Sequence, residues 1–135
     1  MTRKQARTSA FQLVFQQDAN AKQIDELLDE HDDQVTPLDP FSIDLIRMTI
    51  ENIPEIDEAI RPHLKRWTLE RLPRISHAIL RVSCAQLFYM GQDIPNSVVI
   101  NEAVELAKTF GSGDEYIFIN GTLRSIYMAQ AEVEL

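Results

Sequence analysis

Residues 95–124 read PNSVVINEAVELAKTFGSGDEYIFINGTLR, and the fold turns on how the second half of this stretch is read. Pro95 precedes Asn96 and Ser97, two candidate helix caps. At about 100° per residue, Val99, Ile100, Ala103, Val104, Leu106, Ala107 and Phe110 fall on one face of the helix that follows. Asn101, Glu102, Glu105, Lys108 and Thr109 fall on the other. Gly111 stands where a left-handed C-terminal residue is expected, because glycine meets no Cβ clash at positive φ. Beyond GSGD two structures compete. YIFINGTLRSIY (116–127) has β-branched and aromatic residues around Asn-Gly, as a hairpin would. Wound as a helix, Tyr116, Ile119, Leu123, Ile126 and Tyr127 share one apolar face, with Asp114 as N-cap and Glu115 as a first-turn acid. Gly121 inside that helix costs about 1 kcal/mol relative to alanine, acceptable where another helix backbone packs close. A lone hairpin in a helical chain leaves its edges unpaired. Helix is therefore the expected answer, with Phe118 off the buried face as an exposed aromatic.

The remainder of the chain is helical in pattern. Residues 3–17 form a helix with Ala6, Ala10, Leu13 and Val14 inward, and Asp18–Asn20 are expected to break it. Arg3 and Arg7, four apart, project from one side. Cations in a first turn oppose the helix dipole, at a few tenths of a kcal/mol each, so stability alone does not ask for them there. Ile24, Leu27 and Leu28 mark a short acidic helix, and HDDQVTPLDP (31–40) is a loop. Ile43, Ile46, Ile50 and Ile53 continue in helical spacing, and Pro54 suits the first turn of a further helix that ends at Pro62. Residues 74–90 are apolar almost all round, the mark of a central buried helix. Its polar stripe is Arg74, His77 and Arg81, and a structural ion pair from Arg81 to Glu102 or Glu105 is favoured over ligand contact.

At 135 residues, with 44% apolar and 25% charged residues, the chain reads as one domain with a single core. No apolar run approaches the roughly 18 residues of a membrane span. The single cysteine, Cys84, forms no internal disulfide, which fits a cytoplasmic protein. The net charge of −8 is unevenly spread. Residues 1–15 carry Arg3, Lys4 and Arg7 and no acid, whereas residues 16–60 hold thirteen acids against Lys22 and Arg47. Residues 61–81 reverse the balance, with six Lys and Arg against Glu70 alone. Two basic segments in an acidic chain point to an anionic ligand that meets local positive charge and is repelled elsewhere.

Catalytic patterns are absent. No His stands three residues after a Glu, as a di-iron bundle needs. Neither GxxxxGK[ST] nor GxGxxG occurs, and GSG (111–113) is too short for either. There is no Cys-x-x-Cys for zinc, and Cys84 sits among apolar residues that argue against a nucleophile. The expectation is a binding protein without enzyme activity, cofactor or metal.

Five motifs in order carry a resemblance: RKQARTSAFQLVFQ (3–16), WTLERL (67–72), AILRVS (78–83), DIPNSVVINEAVELAKTFGSGD (93–114) and FINGTL (118–123). The chain resembles the NusB family of bacterial transcription antitermination factors over nearly its whole length, most loosely over 18–60. The resemblance implies an all-α fold, a NusB-like helical domain of two perpendicular helical subdomains. It implies binding to the single-stranded boxA RNA of ribosomal RNA operon leaders together with NusE, a small-subunit ribosomal protein, and delivery to the RNA polymerase antitermination complex. Carried over by position, Arg3, Lys4 and Arg7 are phosphate contacts, and Phe15, Phe110 and Phe118 are aromatics near the bases. Asp114 matches an acid placed to accept hydrogen bonds from base amino groups. On this reading Phe110, Asp114 and Phe118 face the basic end of the first helix, and reversing Arg3 and Arg7 together abolishes RNA binding with melting unchanged.

Unpaired RNA is held by cations on its backbone and by stacking on aromatics, which suits these residue types. Gln5 stands where the family often has arginine, His63 where tyrosine is common and Ser76 where an acid is usual. Ile117 and Arg124 replace a common lysine and aspartate. The alternative is a helical protein-interaction module with weak or no RNA binding. NusB-like domains also occur fused to ribosomal RNA methyltransferases, a role not expected for a chain ending at Leu135. Monomer and homodimer both stay open.

Overall fold

A computed structural model describes residues 1–91 and 94–134, with side chains through Ala131. Asp93, which opens the fourth motif, lies outside them. Seven α-helices are described, α1 (Arg3–Asn20), α2 (Ile24–Glu30), α3 (Pro40–Glu51), α4 (Ile53–Ile60), α5 (Arg74–Tyr89), α6 (Asn96–Phe110) and α7 (Glu115–Glu134), and no strand among the described residues. Short 3-10 turns at Arg61–His63 and Leu69–Arg71 lead into α5.

Local chemistry explains several of the boundaries. Thr2 and Gln5 form a reciprocal capping box at the start of α1, and Asp39 and Ser42 form another ahead of Pro40 on α3. Gln5, a departure from the family's charge pattern, is thus a cap. Helix α1 runs through Asp18 to Asn20 rather than breaking at Asp18, and ends at Ala21 with φ 53°. The Asp18 side chain reaches Arg81 of the helix at Arg74–Tyr89, described below. Pro54 lies in the first turn of α4, as its missing N–H allows.

Helix α5 is the centre of the molecule. Its residues from Ala78 to Leu87 are all buried, and it packs against α1, α3, α4, α6 and α7. Its Ile79 and Leu80 are completely enclosed, as are Leu13, Leu45, Ile56, Ile60, Ile119 and Leu123 from the helices around it. Helices α1–α4 contact one another in a chain, α2 to α1, α1 to α3 and α3 to α4, while α6 and α7 make the most extensive helix–helix contact. This is the all-α, two-subdomain arrangement. Residues 116–127 are helical, with Ile119, Leu123 and Ile126 buried, so the hairpin reading of Asn120-Gly121 fails in favour of the helix.

Arg81 is ion-paired as its place on a buried helix requires, but its partners are neither Glu102 nor Glu105. Its guanidinium donates to Asp57 at 3.0 Å from Nε and 2.8 Å from Nη2, and to Asp18 at 3.3 Å. His77 Nε2 lies 2.8 Å from the same Asp57 carboxylate. Burial works to raise the Asp57 pKa, but the hydrogen bonds from His77 and Arg81 outweigh it and hold the group at about 2. This cluster ties α1 and α4 to α5. Cys84 is fully buried beside it, and burial pushes its thiol pKa up, the opposite of what a nucleophile needs.

Gly111 closes α6 differently from expectation. Its backbone is extended, at φ −87° and ψ −172°, and the left-handed position falls to Gly113. What Gly111 supplies is space: a Cβ there would stand 2.6 Å from Glu115 Oε2 and 2.7 Å from the Ala107 carbonyl oxygen. The carbonyl belongs to the helix and cannot move away cheaply. Gly111→Ala is expected to cost about 1–3 kcal/mol, as overpacking does, and thermal melting of the variant checks it. An unshifted melting curve would mean that the loop relaxes freely.

Candidate nucleic-acid interface

The expected site residues separate into three neighbouring surfaces. The first is the start of α1. Arg3 is exposed, and its guanidinium lies 4.2 Å from the ring centre of Phe41 at the start of α3. Arg7 lies 5.4 Å from the same ring on its way into the protein. It is only 5% exposed, and its Nε donates to Gln86 Oε1 of α5 at 2.7 Å. Desolvation lowers the Arg7 pKa, Glu102 opposes that and Arg3 adds to it, with a net lowering. Arg7 is thus a buried cation held by Gln86, and reversing it is expected to lower the melting temperature rather than leave it unchanged. Arg3 and Lys4 are the exposed cations of this helix end.

The second surface lies between α1 and the end of α6. Lys4 and Thr8 face Glu102, Glu105 and Phe110 across a groove of about 210 Å³. On the far side of Phe110 a further groove of about 290 Å³ is lined by Phe11, Phe15, Ile75 and the exposed Val35. Phe110 packs against Phe11 at 5.1 Å between ring centres, and Phe11 against Phe15 at 6.4 Å. Phe15 and Phe110 are half-buried, so each keeps part of a ring available, Phe110 opposite Lys4 and Phe15 in the groove beyond it. Stacking of bases needs such rings.

The third surface does not face α1. Asp114 and Phe118 line a groove of about 300 Å³ opposite His63, Lys65 and Arg66. The Asp114 carboxylate stands 3.7 Å from Arg66, and among the described residues no backbone N–H donates to it, so it does not act as the N-cap of α7. Phe118 is half-buried against the core rather than fully exposed; the exposed apolar residue of that turn is Ile117, at 58%. The expectation that Phe110, Asp114 and Phe118 together face the basic end of α1 therefore holds for Phe110 alone. The basic segment 61–81 was visible in the sequence as a run of cations, but nothing in its periodicity singled out His63, Lys65 and Arg66. Ser76 is fully buried and donates to Glu115 Oε2 at 3.2 Å, so it forms no part of an external surface.

No helix among the described residues is long and apolar enough to cross a membrane. The model of the NusB family matches residues 4–128. The transcription antitermination protein NusB of Oceanobacillus iheyensis is 38% identical over 126 residues, covering 93% of this chain and 98% of its own. Among solved structures, NusB of T. maritima superposes with a TM-score of 0.84 at 29% identity, covering 100% of this chain and 99% of that one. A chain from the crystal structure of the antitermination factors NusB and NusE in complex with double-stranded RNA gives 0.83 at 26%, covering 94% and 96%. The five motifs, the helical order around α5 and the span of these matches agree from one end of the chain to the other, and the chain belongs to the NusB family.

Proposed function

We propose that this chain is a transcription antitermination factor that binds boxA RNA of ribosomal RNA operon leaders together with NusE. It carries both to RNA polymerase in the cytoplasm and does no catalysis. The observation that carries the reading is the groove in which half-buried Phe110 faces the exposed cation Lys4, with Phe15 lining a further groove on the other side of Phe110, on a chain whose relative was crystallised with NusE and RNA. Arg3 and Lys4 take phosphates, and Phe15 and Phe110 take base faces. Asp114 and Phe118 extend the surface across the end of α6. Arg7 and Arg3 both lie against the Phe41 ring, so Arg7 belongs to the packing beneath the exposed end of α1. The acids of residues 16–60 keep RNA from other faces by repulsion.

Exchanging Arg3 and Lys4 for glutamate tests the reading directly. Both side chains are exposed, so the fold should persist with helicity unchanged and melting lowered only by the loss of the Arg3–Phe41 contact, about 0.5–1 kcal/mol. Affinity for a boxA RNA in the presence of NusE should fall roughly tenfold or more, and the dependence of log affinity on log salt should flatten by about 0.7 per lost phosphate contact. The unpaired strand should bind better than the same sequence in a duplex, because stacking needs splayed bases. Full binding by the double variant would sink the assigned site. If the wild-type chain takes no RNA even with NusE present, the protein-interaction module is the correct description.

A further inference from the structure

One ring, Phe41, meets two cations. The exposed Arg3 guanidinium lies over it at 4.2 Å from the ring centre, and the buried Arg7 guanidinium at 5.4 Å. Phe41 is half-buried and packs on the hydrophobic core. Its backbone is fixed as well, because it is the second residue of α3 and lies inside the Asp39–Ser42 capping box, where the Ser42 N–H donates to Asp39 Oδ1 at 2.8 Å. The Thr2–Gln5 box holds the backbone around Arg3 in the same way.

The two arginines are close enough to repel: desolvation lowers the Arg7 pKa, and the charge of Arg3 adds to that lowering. Repulsion alone would turn the Arg3 side chain out into water. Two groups oppose it. One is the negative face of the Phe41 ring. The other is the Asp39 carboxylate, whose pKa the Ser42 N–H holds below the ordinary range with a smaller contribution from Arg3. A guanidinium held over a ring keeps its N–H donors for oxygen atoms. Among the described residues no carboxylate within 4 Å takes those of Arg3. Arginine has much rotamer freedom to lose on binding, and one already held loses less when a phosphate arrives. We propose that Phe41 is a positioning residue for RNA binding: without touching the strand, its ring holds the Arg3 guanidinium ready for a backbone phosphate. The inference rests on the RNA-binding reading above and gives a task to a residue of α3 that lies outside the five motifs.

The test is a double-variant cycle on the full-length chain. Wild type, Phe41→Leu, Arg3→Ala and the two combined are titrated with a boxA RNA in the presence of NusE, at a temperature where all are folded. Phe41→Leu should lower affinity roughly 2–5-fold, the equivalent of an exposed cation–π contact. With Arg3→Ala already in place it should lower affinity no further, because the two changes remove one interaction. A ring that only supports the fold would lower affinity by the same factor in both backgrounds. Phe41→Leu also takes a ring from the edge of the core and should melt below wild type. A second variant therefore keeps the ring's shape. Pentafluorophenylalanine at position 41 draws electrons from the ring face, and should give the same fall in affinity with a far smaller change in melting. Phe41→Tyr, which keeps the negative face, should bind as wild type does. Wild-type affinity in both ring variants, or a loss that simply adds to that of Arg3→Ala, overturns the proposal. Tighter binding by the ring variants also overturns it, since the contact would then be a latch on Arg3. If Arg3→Glu with Lys4→Glu still loses RNA in those cases, the broader reading stands alone. Full binding by that variant sinks both.

Discussion

Asp57→Ala is expected to lower stability by about 3–5 kcal/mol, the range for breaking a buried ion pair by removing one partner. Asp57 receives two hydrogen bonds from Arg81 and one from His77, with the Arg81 side chain 8% exposed. Its loss leaves a guanidinium in the core with only the 3.3 Å contact to Asp18. For a domain of this size the melting temperature should fall by on the order of 10–20 °C. The pH dependence gives a second check. A carboxyl group held at about 2 contributes stability that is complete above the ordinary carboxylate range and is lost as pH falls through the folded value. The difference between wild type and Asp57→Ala should therefore be constant at neutral pH and narrow from about pH 4 toward pH 2. A difference that does not move in that window would mean that Asp57 is not held low by its partners.

Arg7→Glu should also unfold or strongly destabilise the protein, by roughly 3 kcal/mol or more, because it places an unpaired carboxylate in a buried position. The wild-type side chain is 5% exposed, gives its Nε–H to Gln86 and leans on Phe41. The replacement would face Glu102, the acid whose charge acts on Arg7, and would leave Gln86 Oε1 without its donor. Arg3→Glu, on the same helix face one turn earlier, forfeits only an exposed cation–π contact of about 0.5–1 kcal/mol. The pair thus separates two ways of losing RNA binding. Arg7→Glu should lose it together with the melting transition, and Arg3→Glu should lose it at nearly wild-type stability. Wild-type melting of Arg7→Glu would show that its side chain stands outside the core and is free to bind phosphate.

These two residues also show how far local pattern reaches. The helical period correctly puts Ala6, Ala10, Leu13 and Val14 inward on α1, and places Arg3 and Arg7 on a common side. It cannot say that Phe41 and Gln86 arrive from α3 and α5 to cover one of them and not the other. The same holds for Arg81. Its burial follows from the apolar run around it, but Asp57 and Asp18 are 24 and 63 residues distant in the chain and carry no local signal of the contact. Glu102 and Glu105, the helix carboxylates expected to pair with Arg81, face Lys4 across the α1–α6 groove instead. Gly111 was legible as a helix end, but its reason was not: the neighbouring Glu115 side chain and Ala107 carbonyl exclude a Cβ, and φ is ordinary.

The sequence by itself determined that this is a helical chain around residues 74–90, that 116–127 continue as helix, and which family it joins. Amphipathic period, caps and prolines act within a few residues, and so can be read in one dimension. Only the tertiary structure decided which cations are exposed and which are structural, and that the end of α6 separates the α1 surface from a second groove lined by Asp114 and Phe118. Those outcomes depend on which side chains from distant elements meet, and the desolvation of a single arginine is set by that meeting.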